Sequence, residues 1–245
     1  MELARYKVIL AYDGSTFSGL QRQTEGRSVQ GVVEAALRPL GWQGKSILAA
    51  GRTDAGVHAS GQVIAFDLAW RDSPAALLKA LNAGLPASVA AREVSAAPAD
   101  FHPRYAAKLR GYEYRLFCQP ERDPLRERYA WRAWPPVKLS RLRSAARALR
   151  GEHDFAAFGS PPKKGGSTVR KVRRASWRKE GEDEFVFTIK ASGFLYHMVR
   201  KMVGLQVKVG QGALEPESVG QALGGGNKVR QLAPPQGLCL VAVEY

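Results

Sequence analysis

Tyr6-Lys7-Val8-Ile9-Leu10-Ala11-Tyr12, closed by Asp13-Gly14, sets the reading of the whole chain. A short apolar run bounded by a turn pair predicts a buried strand. Phe17 to Gln23 is polar and glycine-containing, hence a loop. Ser28 then caps a helix whose stripe of Val29, Val32, Val33, Ala36 and Leu37 follows i, i+3, i+4, i+7, i+8. Gln62 to Leu68 predicts a second strand and Val89 to Val94 a third. Between them Ser73-Pro74 supplies the cap and first position of a helix to Ala83. A similar succession returns further on. Strands are expected at Leu109 to Cys118, Val169 to Trp177, Phe185 to Ile189 and Leu238 to Tyr245, and helices at Leu139 to Leu149 and Phe194 to Val209. This mixture predicts an α+β fold of two similar α/β halves with mostly antiparallel sheets and a cleft between them. The expected halves are residues 1–105 and 106–245.

Composition narrows the class of partner. The chain has 245 residues, 45% apolar and 24% charged, ordinary values for a globular protein. No apolar run approaches the roughly 20 residues of a membrane span. The start, MELARYKVILAYDG, enters strand-like sequence without a signal-peptide pattern. Cys118 and Cys239 are the only cysteines and are far apart, so a reduced, cytoplasmic protein without disulfides is expected. Net charge is +15 and the isoelectric point about 10.1. Residues 1–105 carry only +2 of this and residues 106–245 carry +13. Eight basic residues and no acid lie between Lys163 and Lys179: Lys163, Lys164, Arg170, Lys171, Arg173, Arg174, Arg178 and Lys179. Such a run by itself is a solvated face. A whole half this basic points to nucleic acid.

Three places could carry chemistry. Ala50-Gly51-Arg52-Thr53-Asp54-Ala55-Gly56-Val57-His58 sets one carboxylate between two glycines, with a planar cation two residues before it. Glycines let backbone turn tightly and approach a ligand, and Arg52 suits phosphate. Local pattern equally fits a turn in which Asp54 bonds its own backbone. In Arg110-Gly111-Tyr112-Glu113-Tyr114-Arg115, alternation puts Tyr112 and Tyr114 on one strand face, as core or as a stacking platform for a base. In the helix expected from Phe194, the residues Phe194, Leu195, Met198, Val199, Met202 and Val203 form an apolar arc. Arg200 falls outside it, at about 240° from Phe194. The four histidines, His58, His102, His153 and His197, show no metal-ligand spacing, and no metal is assigned.

AGRTDAGVHASGQV closely resembles the active-site segment of the tRNA pseudouridine synthase A family, in which the aspartate is catalytic. The resemblance continues through YDGSTFSG, QRQ, SVQGVVEAAL, DFHPRYAAKLRGYEYRLF, GEHDFAAF, GFLYHMVRKMVG and APPQGLCLVAVEY, in order. It departs at Gly19-Leu20-Gln21, where the family usually has tryptophan in the middle, so a loop contact with RNA is expected to differ. The resemblance implies a ferredoxin-like duplication and an isomerase that converts uridine to pseudouridine at tRNA positions 38, 39 and/or 40, in the anticodon stem-loop. It implies no cofactor, a homodimer, Asp54 as the catalytic group, Tyr112 stacked on the flipped base and Arg200 beside the aspartate. An arginine within about 4–6 Å would keep Asp54 ionised. Arg52 is a further expected substrate contact, and Arg22, His58, Arg170, Lys171, Arg173 and Arg174 are expected RNA contacts. Asp54 could add to C6 of the base, attack C1′ of the ribose or assist elimination through a glycal. A non-catalytic tRNA-binding protein is the alternative. A metal-dependent nuclease is disfavoured, because Asp13, Asp54 and Asp67 form no acidic cluster motif.

Overall fold

A computed structural model describes residues 2–161, 163 and 165–245, so Lys164 of the basic run lies outside the described residues. The chain divides into two compact units, Met1–Lys108 with Leu240–Tyr245, and Leu109–Cys239. The expected division at 105 thus falls at 108, and the last six residues return to the first unit.

In the first unit the opening run becomes β1 (Ala4–Tyr12), with Tyr6, Val8, Leu10 and Tyr12 buried and the intervening residues half-buried. Period-two alternation places one set of side chains in the core. Ser28 caps α1 (Val29–Leu37), its hydroxyl accepting from the Gly31 N–H at 3.1 Å. Val29, Val33, Ala36 and Leu37 of the expected stripe are buried, and Val32 is half-buried. A two-residue strand β2 (Leu48–Ala49) precedes β3 (His58–Leu68). Then come α2 (Pro74–Gly84), capped by Ser73 with Pro74 in its first turn, and β4 (Val89–Ala97). β1 runs antiparallel to both β3 and β4.

The second unit holds β5 (Leu109–Phe117), β6 (Trp131–Arg132), α3 (Leu139–Arg147), β7 (Gly151–Asp154), β8 (Val169–Glu180) and β9 (Glu184–Ala191). α4 (Met198–Gly210) and α5 (Ser218–Leu223) follow, and β10 (Leu238–Glu244) closes the chain. β10 lies next to β3, so the strand order within the first unit is β4-β1-β3-β10, with β2 also on β3. The strand order within the second unit is β5-β9-β8-β7, antiparallel throughout, with β6 parallel to β5. Its core contains Tyr114, Phe117, Phe155, Phe158 and Phe187, all fully buried. Trp177 of β8 donates its indole N–H to Gln206 Oε1 of α4 at 2.8 Å, which satisfies a buried amide inside that core. The expected α+β fold, antiparallel sheets with a few helices in two halves, is the observed one.

One element starts later than its pattern predicts. The helix expected from Phe194 begins at Met198. Tyr196 forms an isolated bridge with Ser160, and His197 sits at φ 62°, so residues 194–197 cannot continue a helix. Phe194 and Leu195 are apolar because they pack in the loop, not because they lie on the helix face.

Candidate active site

The first unit builds a rigid seat for Asp54. The register of β1 against β3 shifts between Leu10, opposite Gln62, and Tyr12, opposite Ala59. This irregularity ends regular pairing beside the loop and re-aims the residues around it. The Tyr12 phenol and Thr53 hydroxyl share a hydrogen bond at 2.8 Å, and Gln62, fully buried, donates to the Gly51 carbonyl at 2.9 Å. The turn after Asp54 is closed by backbone, the Val57 N–H reaching the Asp54 carbonyl at 3.2 Å, with Gly56 at φ 76°.

A second loop clamps the first. The Leu20 N–H donates to the Thr53 carbonyl at 3.1 Å, and the Gly56 N–H to the Phe17 carbonyl at 3.3 Å. Two glycines make this approach possible. A Cβ on Gly14 would lie 2.1 Å from the Val57 carbonyl oxygen. Gly19, at φ 104°, would bring one to 2.7 Å from the Thr53 oxygen. Asp54 is consequently half-buried at the apex of a loop whose neighbours on both sides are bonded to fixed backbone.

The remaining expected residues of this unit take different positions. Arg52 is exposed and makes no ion pair among the described residues. His58, expected as an RNA contact, is only 6% exposed. The Gly14 N–H lies 3.0 Å from its Nδ1, and the Asp13 carboxylate 3.3 Å from the same nitrogen. His58 therefore positions the loop. Arg22 reaches the buried carboxylate of Glu34 at 2.7 Å while its side chain stays 55% exposed. Leu20 is buried with 3% exposure and so packs below the loop rather than at an exposed surface.

In the second unit, Tyr112 of β5 is buried, opposite Ile189 of β9, with its ring edge-on to Phe194 at 5.0 Å and 86°. Tyr114, its companion on the same face, is a core residue whose hydroxyl donates to the Pro234 carbonyl at 2.8 Å. Burial pushes that phenol well above its ordinary pKa, opposed by the charge of Arg200. Arg200 on α4 is half-buried, not solvent-facing, and its Nε–H donates to the Ala233 carbonyl at 2.8 Å. On β8, Lys171, Arg173 and Arg174 extend from the basic run, and Arg173 and Arg174 are exposed. Arg170 is partly desolvated, which lowers its pKa, and donates to the Ser167 and Val169 carbonyls. Among the described residues no group of three His, Cys, Asp or Glu side chains could hold a metal ion, and no helix is long and apolar enough to cross a membrane.

Tyr12, Gln62, Gly14 and Gly19 were not identified from sequence as parts of the site. A glutamine inside the apolar stretch Val57 to Leu68 was the available signal, because a buried amide needs partners.

The candidate site thus presents one half-buried carboxylate on a glycine-clamped loop, in an α+β chain with a basic second half. A family model described as tRNA pseudouridine synthase matches residues 8–106 and 145–245. The chain is 43% identical to a tRNA pseudouridine synthase A of Moorella thermoacetica, with 98% of both chains covered. It is 42% identical to one of Syntrophotalea carbinolica, covering 98% of this chain and 95% of the other. A third, from Geobacillus kaustophilus, is 43% identical over 98% of this chain and 94% of its own. The chain belongs to the tRNA pseudouridine synthase family and so to the isomerases acting on tRNA.

Proposed function

We propose that the chain forms pseudouridine at positions 38, 39 and/or 40 of the tRNA anticodon stem-loop, with Asp54 as its catalytic residue. The observation that carries this reading is the seat of Asp54. Thr53, Gly56 and Val57 around it are fixed by bonds with Tyr12, with the Leu20 N–H and with the carbonyls of Phe17 and Asp54. Preorganisation of this kind suits a group that must meet a reacting atom. The reaction breaks the bond from ribose C1′ to N1 and joins C1′ to C5; the C5 proton leaves and N1 ends protonated. It has no net redox change and needs no cofactor. The target base must leave its stack, at about a few kcal/mol. Tyr112 stacks on it and Arg200 and Arg52 hold the nucleotide, while Arg170, Lys171, Arg173 and Arg174 bind backbone phosphates. The protein works in the cytoplasm as a homodimer.

Release of tritium from uridine labelled at C5, with pseudouridine mapped in the treated tRNA, tests the reading. Asp54→Asn should keep tRNA affinity and folding while lowering turnover by more than about a thousandfold, as loss of an essential group does. Residual turnover within tenfold of wild type would move the chemistry elsewhere. Wild-type protein that binds tRNA without releasing tritium would make it a binding protein.

A further inference from the structure

Among the described residues, six of the twelve acids of the second unit pair with arginines. Arg115 pairs with Glu180 and Glu184, Arg126 with Asp183, Arg132 with Glu127, and Arg178 with Glu113. Three arginines of one segment lie outside these pairs. Arg143, Arg147 and Arg150 are exposed and form no ion pair among the described residues. Together with Ala175, Ser176 and Trp177 of β8 they line a groove of about 220 Å³. Arg143 and Arg147, at i and i+4, share one face of α3 about 6 Å apart along the axis at 1.5 Å per residue, and Arg150 follows in the turn just beyond the helix end.

Part of this arrangement covers a sheet edge. β8 pairs with β7 over Val169–Val172, and beyond that stretch its outer backbone has no strand neighbour among the described residues. Arg143 Nε–H donates to the Trp177 carbonyl and Arg150 Nε–H to the Ala175 carbonyl, each at 3.2 Å. Capping of this kind blunts an exposed edge. It uses only the Nε–H of each guanidinium, however, and leaves the terminal nitrogens of both. Arg147 caps no strand carbonyl and touches only the Ser144 hydroxyl, at 3.2 Å. The two strand carbonyls are already satisfied, so they do not repel an anion entering the groove.

We propose that this groove is a second RNA-contact site, which holds successive backbone phosphates of tRNA on Arg143, Arg147 and Arg150. Guanidinium forks match phosphate oxygens two at a time. Trp177, the one aromatic of the lining, is 2% exposed and cannot stack on a base, so the groove reads backbone and not sequence. The proposal rests on the tRNA reading above.

The test is binding of full-length tRNA across a series of salt concentrations. Replacing all three arginines by glutamine should flatten the slope of log K against log salt by about two to three, at 0.7–0.9 per lost phosphate contact. Affinity at low salt should fall at least tenfold. Because Arg143 and Arg150 also cap β8, Arg147→Gln alone is the deciding variant, with thermal unfolding as the control. It should flatten the slope by nearly one, and Arg147→Lys should restore it. A folded Arg147→Gln protein with the wild-type slope overturns the proposal. So does saturation of the Arg147 guanidinium signal by inorganic phosphate while tRNA affinity stays equal in every variant, which would make this a free-anion site. Wild-type protein with no measurable tRNA binding would overturn the tRNA reading itself, a distinct result.

Discussion

At the scale of single residues, Tyr112 and Tyr114 show how identical side chains on one strand face take different work. Tyr114 is sealed, its hydroxyl committed to the Pro234 carbonyl and its ring against Gly237, where a Cβ would come within 2.6 Å of the ring. Tyr112 instead meets Phe194 edge-on, in the loop ahead of α4. Ring geometry of this kind holds an aromatic plane in one orientation, which is what stacking on a base demands. Tyr112→Ala should therefore weaken productive binding by about 1–3 kcal/mol and lower turnover with it. Tyr112→Phe keeps the plane and removes only the hydroxyl. Full turnover in Tyr112→Phe, measured under single-turnover conditions, is the outcome expected of pure stacking, and a large loss would give the hydroxyl a role in proton transfer. Alternation alone could place the two tyrosines on one face. It could not separate them, because the difference comes from Pro234 and Gly237, more than a hundred residues away in sequence.

At the scale of elements, the two clamped loops and the glycines between them decide the geometry of Asp54. Gly19→Ala carries two penalties, a positive φ of 104° and a Cβ pressed to 2.7 Å from the Thr53 oxygen. Gly41 provides the comparison, since it has φ 92° with nothing within 4 Å of an added Cβ. Gly41→Ala should cost only the conformational term, about 1–2 kcal/mol, and leave turnover unchanged. Gly19→Ala should cost at least a further 1 kcal/mol or so, as overpacking does, and lower turnover through displacement of Thr53. Chemical denaturation and single-turnover rates on both variants would check this, and equal behaviour would show that the clamp does not position Asp54. Much of this level was legible in the chain. Period-two and period-3.6 patterns located β1, α1, α2, β4, β5 and α3 within a few residues, because apolar spacing is a local property. The late start of α4 was not legible, since His197 at φ 62° and the bridge from Tyr196 to Ser160 depend on a partner segment. β2, β6 and β7 were missed because strands of two to four residues carry too little pattern. Likewise the RTDAG segment marked Asp54, whereas Tyr12 and Gln62 look like core positions until the loop they hold is seen.

At the scale of the whole molecule, a net charge of +15 makes the folded state self-repelling, and each remaining carboxylate that is paired counts. Hydrogen bonds from Arg5 hold the Asp67 carboxyl below its ordinary range, and Arg126 does the same for Asp183. Arg115, then Arg178, lowers Glu180. A carboxylate whose folded pKa lies below its unfolded value stabilises the fold at any pH above the unfolded value. That contribution is lost as pH falls through the folded pKa. Unfolded Asp and Glu titrate near about 4, so stability should be flat from neutral pH down to about 5 and decline below about 4. These pairs are partly exposed, which keeps each contribution small through solvent screening. Protonation has a second effect in the same direction, because each lost negative charge raises the net positive charge on a chain already at +15. Denaturation midpoints measured at intervals from pH 7 to pH 3 should show the decline, and it should be shallower in Asp183→Asn, which has nothing left to protonate at that site. Added neutral salt should recover part of the loss at pH 3, since screening weakens the repulsion between surplus cations once their partners are neutral. A midpoint that stays constant to pH 3 would mean that the arginine–carboxylate pairs of the second unit contribute nothing to its stability.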